Sequence, residues 1–436
     1  MAFFLFFRTI QKPYTMKTTK WIIGLLLTAC TPGLYAAGTV GGANAASAIS
    51  SDTATVAKTA KATNNHKPLH KVGIDISSAY VFPTHGFFKG ENLAGKPIRH
   101  HFSAHLKYGF KFAPDTYFAR MYPHATQGIG VAYNTFFNQH ELGAPWSVYV
   151  FQNSRLLSIT RNLSLDYEWN FGASFGWKKF DEETNDRNDI VGSRANAYIN
   201  LGMMLNWRFA PQWNLTAGIG MTHYSNGNTS YPNSGVNTVG GRIGLIRTFG
   251  DEEAYERILK EQVKQPFRPY VSYDLVVYGA ARKKGVFFDG EEYGTLIPGK
   301  FAILGLNFNP MYNINQYFRT GLSLDVQYDE SANIADYVVN KGVTAEDLKF
   351  HRPPLKEQLS AGLSIRGEIV MPIFSINVGI GKNFICQGAD TNKFYQIFAL
   401  KTHLTKRAFL HVGYQLYRFK DPNNLMLGIG YRFNGR

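Results

Sequence analysis

The feature that most constrains the fold is a repeated alternation of apolar residues with small or polar ones. In the run Gly321–Tyr328 every even position is apolar, and every odd position is small, polar or charged. The runs Phe374–Gly381 and Phe102–Lys111 alternate in the same way. Successive side chains on a strand point to opposite faces, so each run has one apolar and one polar face. About ten residues of tilted strand cross a bilayer, so the pattern predicts a mainly β chain that forms an antiparallel transmembrane β-barrel.

A soluble β-sandwich also alternates, so the membrane barrel needs further support. Three features favour the barrel: an export segment, polar faces rich in Gly, Ser, Asn and charge, and the final strand. That strand ends close to the C-terminus and resembles the aromatic last strand of outer-membrane barrels. Its apolar face carries Leu425, Leu427, Ile429, Tyr431 and Phe433.

The alternating runs predict about sixteen strands in two groups. Eight lie between Val72 and Gly250, and eight between Pro269 and Phe433. A charged, helix-permissive segment separates the groups. The predicted units are a first barrel half (68–250), a linker (251–267) and a second half (268–436). The count leaves open one large barrel or two eight-stranded barrels.

The N-terminus reads as a targeting segment, so we predict a signal peptide over residues 1–36. A basic stretch, Met16–Lys20, precedes an apolar one, Trp21–Ala29, and the chain offers a cleavage site after Ala36. An alternative is a lipoprotein anchored at Cys30. Residues 37–67 are rich in Ala, Ser, Thr and Asn and are predicted to be disordered. Export points to the outer membrane of a Gram-negative bacterium.

The charge of the chain is strongly positive, at +15. In an exported protein this charge favours attraction to an anionic membrane surface, and it makes nucleic acid an improbable partner. Inward charges such as Lys107 and Lys111 are interpreted as the lining of a pore. No His or Cys spacing indicates a metal site.

The strongest candidate site follows the alternating run Trp213–Met221, whose apolar residues occupy the odd positions. His223 and Ser225 continue that apolar face, which is unfavourable in a core but suits a base and a nucleophile that face lipid. With the N-terminus in the periplasm, the seventh strand ends at the cell surface. Asn237, on the outward face of the eighth strand, is then expected beside the pair.

The segments His223–Asn226 and Pro232–Asn237 resemble the signature of the lipid A 3-O-deacylase (PagL-type) family. That family consists of eight-stranded outer-membrane barrels that remove an ester-linked acyl chain from lipid A without a cofactor. The resemblance implies Ser225 as nucleophile and His223 as base, with Asn226 and Gly227 in the segment that stabilises the oxyanion and positions the substrate. It covers residues 72–250 in topology and 223–237 in motif.

One position departs from the family pattern, because Asn237 stands where the family has a Glu. An Asn carbonyl can orient the imidazole, but it supplies no counter-charge. Three alternatives stay open: Asn237 suffices, another acid approaches, or the protein is a weak or inactive relative. The rival interpretation is a catalytically inactive outer-membrane barrel with a structural or transport role. The oligomeric state is also open.

Overall fold

The computed structural model describes most of the chain beyond the predicted export segment. The described residues are 66–434 except 182, 263–265, 287, 289–294, 341–346 and 420. The predicted signal peptide, Cys30 and nearly all of the segment 37–67 that was predicted to be disordered therefore lie outside the described residues.

The first half of the chain closes into an eight-stranded antiparallel barrel, in which β8 pairs with β1. Its strands are β1 (Leu69–Val81), β2 (His100–Lys111), β3 (Thr126–Thr135), β4 (Gly143–Ser158), β5 (Leu163–Trp177), β6 (Ala195–Ala210), β7 (Trp213–Ser225) and β8 (Val236–Phe249). We call this unit barrel 1.

The second half closes in the same way into barrel 2, so the two-barrel alternative is confirmed. Its strands are β9 (Tyr270–Arg282), β12 (Phe301–Asn313), β13 (Phe318–Asp329), β14 (Leu359–Val370), β15 (Phe374–Ile385), β16 (Phe394–His403), β17 (Ala408–Tyr417) and β18 (Asp421–Phe433). A two-residue pair, β10 (Gly285–Val286) with β11 (Thr295–Leu296), lies in the loop after β9. The chain enters and leaves both barrels at one end, which we call the periplasmic end. The opposite end is the extracellular end.

Apolar side chains cover the outer faces of both barrels. Ile74 on β1, Ile219 on β7 and Ile429 on β18 are each more than half exposed. Such a band is expected of a barrel that faces hydrocarbon, because its outward side chains contact lipid. The closed sheet also pairs the backbone groups, which hydrocarbon cannot hydrogen-bond. Among the described residues no helix has the length and apolar character to cross a membrane.

The lumen of barrel 1 is filled by side chains, as expected of an eight-stranded barrel. The Lys107 ammonium lies 2.5 Å from Asp75 and 3.0 Å from Glu168, and Arg242 lies 2.9 Å from Glu168. Towards the extracellular end an aromatic cluster takes over, including the buried Tyr224. The interpretation of Lys107 and Lys111 as pore lining is wrong, because both are buried and paired with carboxylates.

Barrel 2 has a more ionic lumen. Lys401 lies 2.9 Å from both Asp274 and Glu368, and Arg432 lies 2.7 Å from Asp274. Arg319 contacts Glu368 in the same network. Each buried charge therefore has an opposite partner, which offsets the cost of removing it from water.

A helix caps the periplasmic end of barrel 1. The described helices are α1 (Gly86–Lys89), α2 (Tyr117–Met121), α3 (Glu252–Glu261) and α4 (Leu355–Gln358), with a 3₁₀ turn at Ile334–Tyr337. The Asp251 carboxylate caps the N-terminus of α3 by accepting from the Glu253 and Ala254 N–H groups. Glu252 then contacts Lys71 at 2.9 Å and Lys111 at 3.0 Å. Burial alone would raise the pKa of Glu252, but the two ammonium groups hold it well below its usual value.

The two barrels also contact each other. Near the periplasmic end the Tyr122 hydroxyl donates to the Gln316 carbonyl at 2.6 Å, and the Tyr317 hydroxyl donates to the Met121 carbonyl at 2.9 Å. Further along, the Phe171 ring packs edge-on against Phe374.

Candidate active site

The end of β7 and the start of β8 bring the three predicted catalytic residues together. His223 pairs directly with Asn237 across the two strands. Ser225, two positions beyond His223, shares its outward face because side chains on a strand repeat with period two. The exposed Leu215 and Ile219 lie on this same face of β7. Strand periodicity and register therefore place all three side chains on the outer surface of barrel 1, near the extracellular end.

A hydrogen bond fixes the state of the imidazole. His223 Nδ1 lies 2.6 Å from Asn237 Oδ1. An amide oxygen can only accept a hydrogen bond, so in this contact Nδ1 carries the proton. The neutral ring then has its lone pair on Nε2, which is the tautomer that a base needs to take a proton from a serine hydroxyl.

Tyr224 anchors the strand from the inside. Its hydroxyl donates to Asn134 Oδ1 at 2.9 Å, and its ring packs against Trp177 and Tyr198 in the barrel 1 lumen. A residue held this firmly between two outward neighbours limits how far His223 and Ser225 can shift. Sequence reasoning did not use Tyr224, although the alternation already pointed it into the lumen.

Asn226 organises the loop 226–235 that follows β7. Its backbone N–H donates to Asn233 Oδ1 at 3.0 Å, and its side-chain amide donates to the Ser230 carbonyl at 2.8 Å. Its Oδ1 accepts from the Thr229 N–H at 3.1 Å. These bonds use the backbone N–H and the side-chain amide of Asn226 inside the loop, so its predicted contact with an oxyanion stays a prediction. The N–H of Gly227, where φ is +64°, has no acceptor within the described part of the chain.

The loop returns to the His–Ser pair at Gly235. There φ is +70°, a conformation that favours glycine. A β-carbon at this position would lie 3.3 Å from His223 Cε1 and 3.7 Å from Ser225 Cβ. Both side chains therefore border the same small space, although they come from different positions of β7.

The exposure of the site differs from the expected lipid-facing arrangement. The three side chains point outward as predicted, but His223 is only 6% exposed and Asn237 only 3%. Ser225 is partly exposed. The returning loop lies against the imidazole at Gly235, so the base is shielded while Ser225 stays partly exposed.

Barrel 2 lies against the loop on its other side. A β-carbon at Gly227 would lie 3.0 Å from a methyl group of Leu425. The Asn228 side chain donates to the Asn423 carbonyl at 2.9 Å, and the Lys283 N–H donates to the Thr229 carbonyl at 3.1 Å. Sequence reasoning missed this support because no local pattern connects residues 195 positions apart.

The chemistry available at this site is that of an imidazole, a hydroxyl and amide groups. No cluster of three or more His, Cys, Asp or Glu side chains suited to a metal ion occurs in the described ranges. The position of the family Glu is occupied by the Asn237 amide, which bonds Nδ1 directly.

Comparison with known families agrees with this geometry. Residues 158–245 match the family model of lipid A 3-O-deacylase (PagL), and residues 271–435 match the model of the acyloxyacyl hydrolase C-terminal domain. Together the two matches span more than half of the chain. The chain belongs to the PagL-type family.

The PagL match includes β7 and most of β8, and with them all the predicted site residues. The second match runs through barrel 2 and accounts for the part of the chain that the sequence motif left unassigned. No curated protein matches the chain.

Solved structures with a similar fold include neisserial surface protein A, at 9% identity and a TM-score of 0.28. That match covers 41% of this chain and 97% of the other. The siderophore receptor PirA from Pseudomonas aeruginosa matches at 10% identity and a TM-score of 0.23, over 84% of this chain and 80% of the receptor.

Proposed function

We propose that this protein is a lipid A deacylase of the Gram-negative outer membrane and that it acts as a serine esterase. One observation carries the mechanism: the His223–Asn237 hydrogen bond leaves the imidazole Nε2 as a base beside Ser225. The family and the lipid-facing barrels support the location and the substrate. The lipid substrate would approach from the outer leaflet, on the side where Ser225 is partly exposed.

The reaction would proceed in two balanced steps. In acylation, the Ser225 oxygen attacks the ester carbonyl and its proton passes to His223 Nε2. The tetrahedral intermediate then collapses, the bond to the sugar oxygen breaks, and the imidazolium returns the proton to that oxygen. In deacylation, water attacks the acyl-Ser225 ester with His223 as base, which releases a fatty acid and restores the serine.

Asn237 would act as a positioning residue for the base. It holds the productive tautomer through Nδ1, yet it offers no negative charge to the imidazolium that forms in each step. The oxyanion of the tetrahedral intermediate would bind to the Gly227 N–H, with Asn226 fixing the shape of the loop. We infer a working but slower esterase than a relative with a carboxylate at this position.

The filled lumens support an enzyme over a channel. The charges of barrel 1 are paired around Glu168, and those of barrel 2 around Glu368. Transport through either lumen would require these networks to break. A barrel that conducts ions in a planar bilayer, and leaves lipid A unchanged, would favour the transport alternative.

The decisive experiment is the mass spectrum of lipid A from cells that express the wild-type protein or Ser225→Ala. We expect wild-type cells to lose the mass of one acyl chain and Ser225→Ala cells to retain it. Ser193→Ala, which removes a loop serine on the same end of barrel 1, is the matched control and should behave as wild type. Heat-modifiable gel migration reports that each variant forms its barrels. Loss of the acyl chain with Ser225→Ala would refute the serine mechanism.

A further inference from the structure

A cavity of about 730 Å³ lies at the extracellular end, between the two barrels. Barrel 1 contributes its β1–β2 loop and the outer side of loop 226–235. Barrel 2 contributes the ends of β9 and β13 and the β15–β16 loop. The volume is within the range of cavities that hold small ligands. Neither barrel forms this space by itself.

The cavity and the His–Ser pair share one loop. Asn233 and Ser234 line the cavity, and the next residue is Gly235, which contacts His223 and Ser225. Adjacent Cα atoms are about 3.8 Å apart, so the cavity wall begins within one or two residues of the pair. A lipid whose ester reaches Ser225 would therefore carry its polar end close to the cavity.

Most charges in the cavity are paired. Arg282 lies 2.7 Å from Asp329, Lys284 lies 2.7 Å from Asp390, and the His85 imidazole contacts Asp189. These pairs hold the walls in shape and leave little net charge. The lining also presents amide, hydroxyl and phenol groups, which suit the hydroxyls of a sugar.

Two lysines differ from these pairs. Lys89, on α1 of barrel 1, and Lys283, at the end of β9 in barrel 2, line the same cavity and are exposed. In the described part of the chain neither ammonium group has a carboxylate within ion-pairing distance. Each barrel thus contributes one cation that takes part in no described ion pair, with the Glu91 carboxylate on the barrel 1 side of the same lining. A phosphate is a group that such cations attract.

We propose that this cavity binds the phosphorylated sugar headgroup of the lipid substrate, with Lys89 and Lys283 as the phosphate contacts. Barrel 2 would then determine substrate specificity, because it supplies one wall and one of the two cations. The inference rests on the proposed function for the identity of the lipid. The binding experiment below does not depend on catalysis.

The test measures binding of full-length protein in detergent to lipid A with or without its phosphates. The Ser225→Ala background prevents turnover. The variant is Lys89→Gln with Lys283→Gln, and the matched control is Lys260→Gln with Lys406→Gln, which removes the same charge from exposed positions at the periplasmic end. We expect the cavity variant to bind phosphorylated lipid A about tenfold more weakly, with the control unchanged. Lipid A without phosphates should bind wild type and variant alike.

A competition arm separates a lipid headgroup from a soluble anion. Glucosamine 1-phosphate and inorganic phosphate should displace lipid A only weakly, because neither carries the acyl chains with which lipid A would also contact the surface beside Ser225. Full displacement by either would assign the cavity to a soluble phosphate and overturn the proposal. Equal affinity of the cavity variant and wild type for phosphorylated lipid A would also overturn it.

The two proposals fail in different ways. If the wild-type protein does not deacylate lipid A but binds it through the two lysines, the proposed function is wrong and the headgroup site stands. If it deacylates phosphorylated and unphosphorylated lipid A with the same KM, the headgroup proposal is wrong and the function stands.

Discussion

The last hairpins of the two barrels differ in the feature that creates the site. In barrel 1, β7 and β8 are joined by the ten-residue loop 226–235, and the last outward positions of β7 are His223 and Ser225. In barrel 2, β17 and β18 are joined across 418–420, and the last outward positions of β17 are Tyr414 and Leu416.

The short connection also changes the backbone. Arg418 and Phe419 adopt φ of +50° and +63°, so the chain reverses at once instead of extending over the outer face. The same architecture therefore carries a His–Ser pair at the end of one hairpin and a Tyr and a Leu at the matching positions of the other. We propose that function in this fold depends on a few strand-end residues and the loop behind them, while the barrels supply rigid support.

The largest effect that tests this contrast is the loss of the base. His223→Ala should lower kcat/KM for lipid A deacylation by at least about a thousandfold, because no other group would take the proton from Ser225. His140→Ala removes an exposed histidine from the β3–β4 loop, at the same end of barrel 1, and should leave the rate unchanged. Initial rates in detergent–lipid A micelles provide the measurement. Substantial activity of His223→Ala would show that the His–Ser pair is not what distinguishes the β7–β8 hairpin from the β17–β18 hairpin.

The lumens should show the next largest effect, this time on stability. Glu368→Gln removes one of the two buried carboxylates that Arg319 and Lys401 contact in barrel 2 and leaves only Asp274, so we expect a loss of about 3 kcal/mol in the free energy of unfolding. Glu168→Gln is the matched change in barrel 1, where it removes the carboxylate that Arg242 contacts and one of the two that Lys107 contacts, the other being Asp75. Denaturant unfolding in detergent would measure both. A negligible cost in either barrel would show that its network does not stabilise it.

Asn237 provides a sharper test of the site itself. Asn237→Ala removes the acceptor that fixes the His223 tautomer and should lower kcat by about a hundredfold. Asn237→Glu should retain or raise activity, because a carboxylate also stabilises the imidazolium, most effectively where the dielectric is low. Initial deacylation rates at neutral pH compare the three proteins. If all three are equal, Asn237 does not position the base.

The contact between the barrels at Gly227 should have a smaller effect. Gly227→Ala places a methyl group 3.0 Å from Leu425 on a backbone with φ of +64°, so we expect about 1–2 kcal/mol lower stability and a several-fold lower kcat/KM. Gly95→Ala is the control for the backbone alone, because its φ is +61° and nothing lies within 4 Å. Adding Leu425→Ala to Gly227→Ala should recover the steric part. Equal costs for Gly227→Ala and Gly95→Ala would mean that barrel 2 does not press on the loop.

The smallest expected effect is on the pH dependence of stability, which should differ between the barrel 1 wall and the barrel 2 wall of the cavity. The hydrogen bond to Asp189 raises the pKa of His85 above 6.5, so this contact stabilises fully below pH 6.5 and is lost as the pH rises through the raised value. In the barrel 2 wall the group concerned is Asp390. Burial raises the pKa of its carboxyl, but the neighbouring Lys284 ammonium lowers it by more, to about 2. That carboxylate stabilises fully above pH 3.8, and its contribution is lost only as the pH falls towards 2.

The free energy of unfolding, measured at about pH 5.5 and about pH 8, should therefore depend on pH for a variant in the barrel 1 wall and not for one in the barrel 2 wall. Asp189→Asn should cost less than about 1 kcal/mol at the lower pH and nothing at the higher pH, since the pair is partly exposed. Asp390→Asn should cost the same at both values. A pH-independent cost for Asp189→Asn would show that His85 is not charged in the folded protein.

Much of this architecture was predictable because strand signals are local. The alternation in Gly321–Tyr328 identified a strand that the structure places in β13, and the same period put His223 and Ser225 on the outer face of β7. The period also gave the direction of Tyr224. The sequence could not decide between one barrel and two, because that depends on whether β8 pairs with β1 or with β9.

The site was predictable in its members but not in its surroundings. The motif drew attention to His223, Ser225 and Asn237, and the register confirms that His223 and Asn237 are neighbours. The resemblance placed Asn226 in the segment that stabilises the oxyanion, but its role as the centre of the loop bonds appears only once the loop closes on it.

The sequence by itself thus determined the strands, their faces and the residues of the candidate site, because each depends on neighbours two to fourteen positions away. Tertiary structure alone decided that the strands close as two barrels, that a loop covers His223, and that barrel 2 supplies the other wall of a polar cavity. Those outcomes depend on contacts such as Asn228 with Asn423, which are 195 positions apart. Residues so distant in sequence meet only when whole barrels pack together, and no periodicity within either segment encodes that packing.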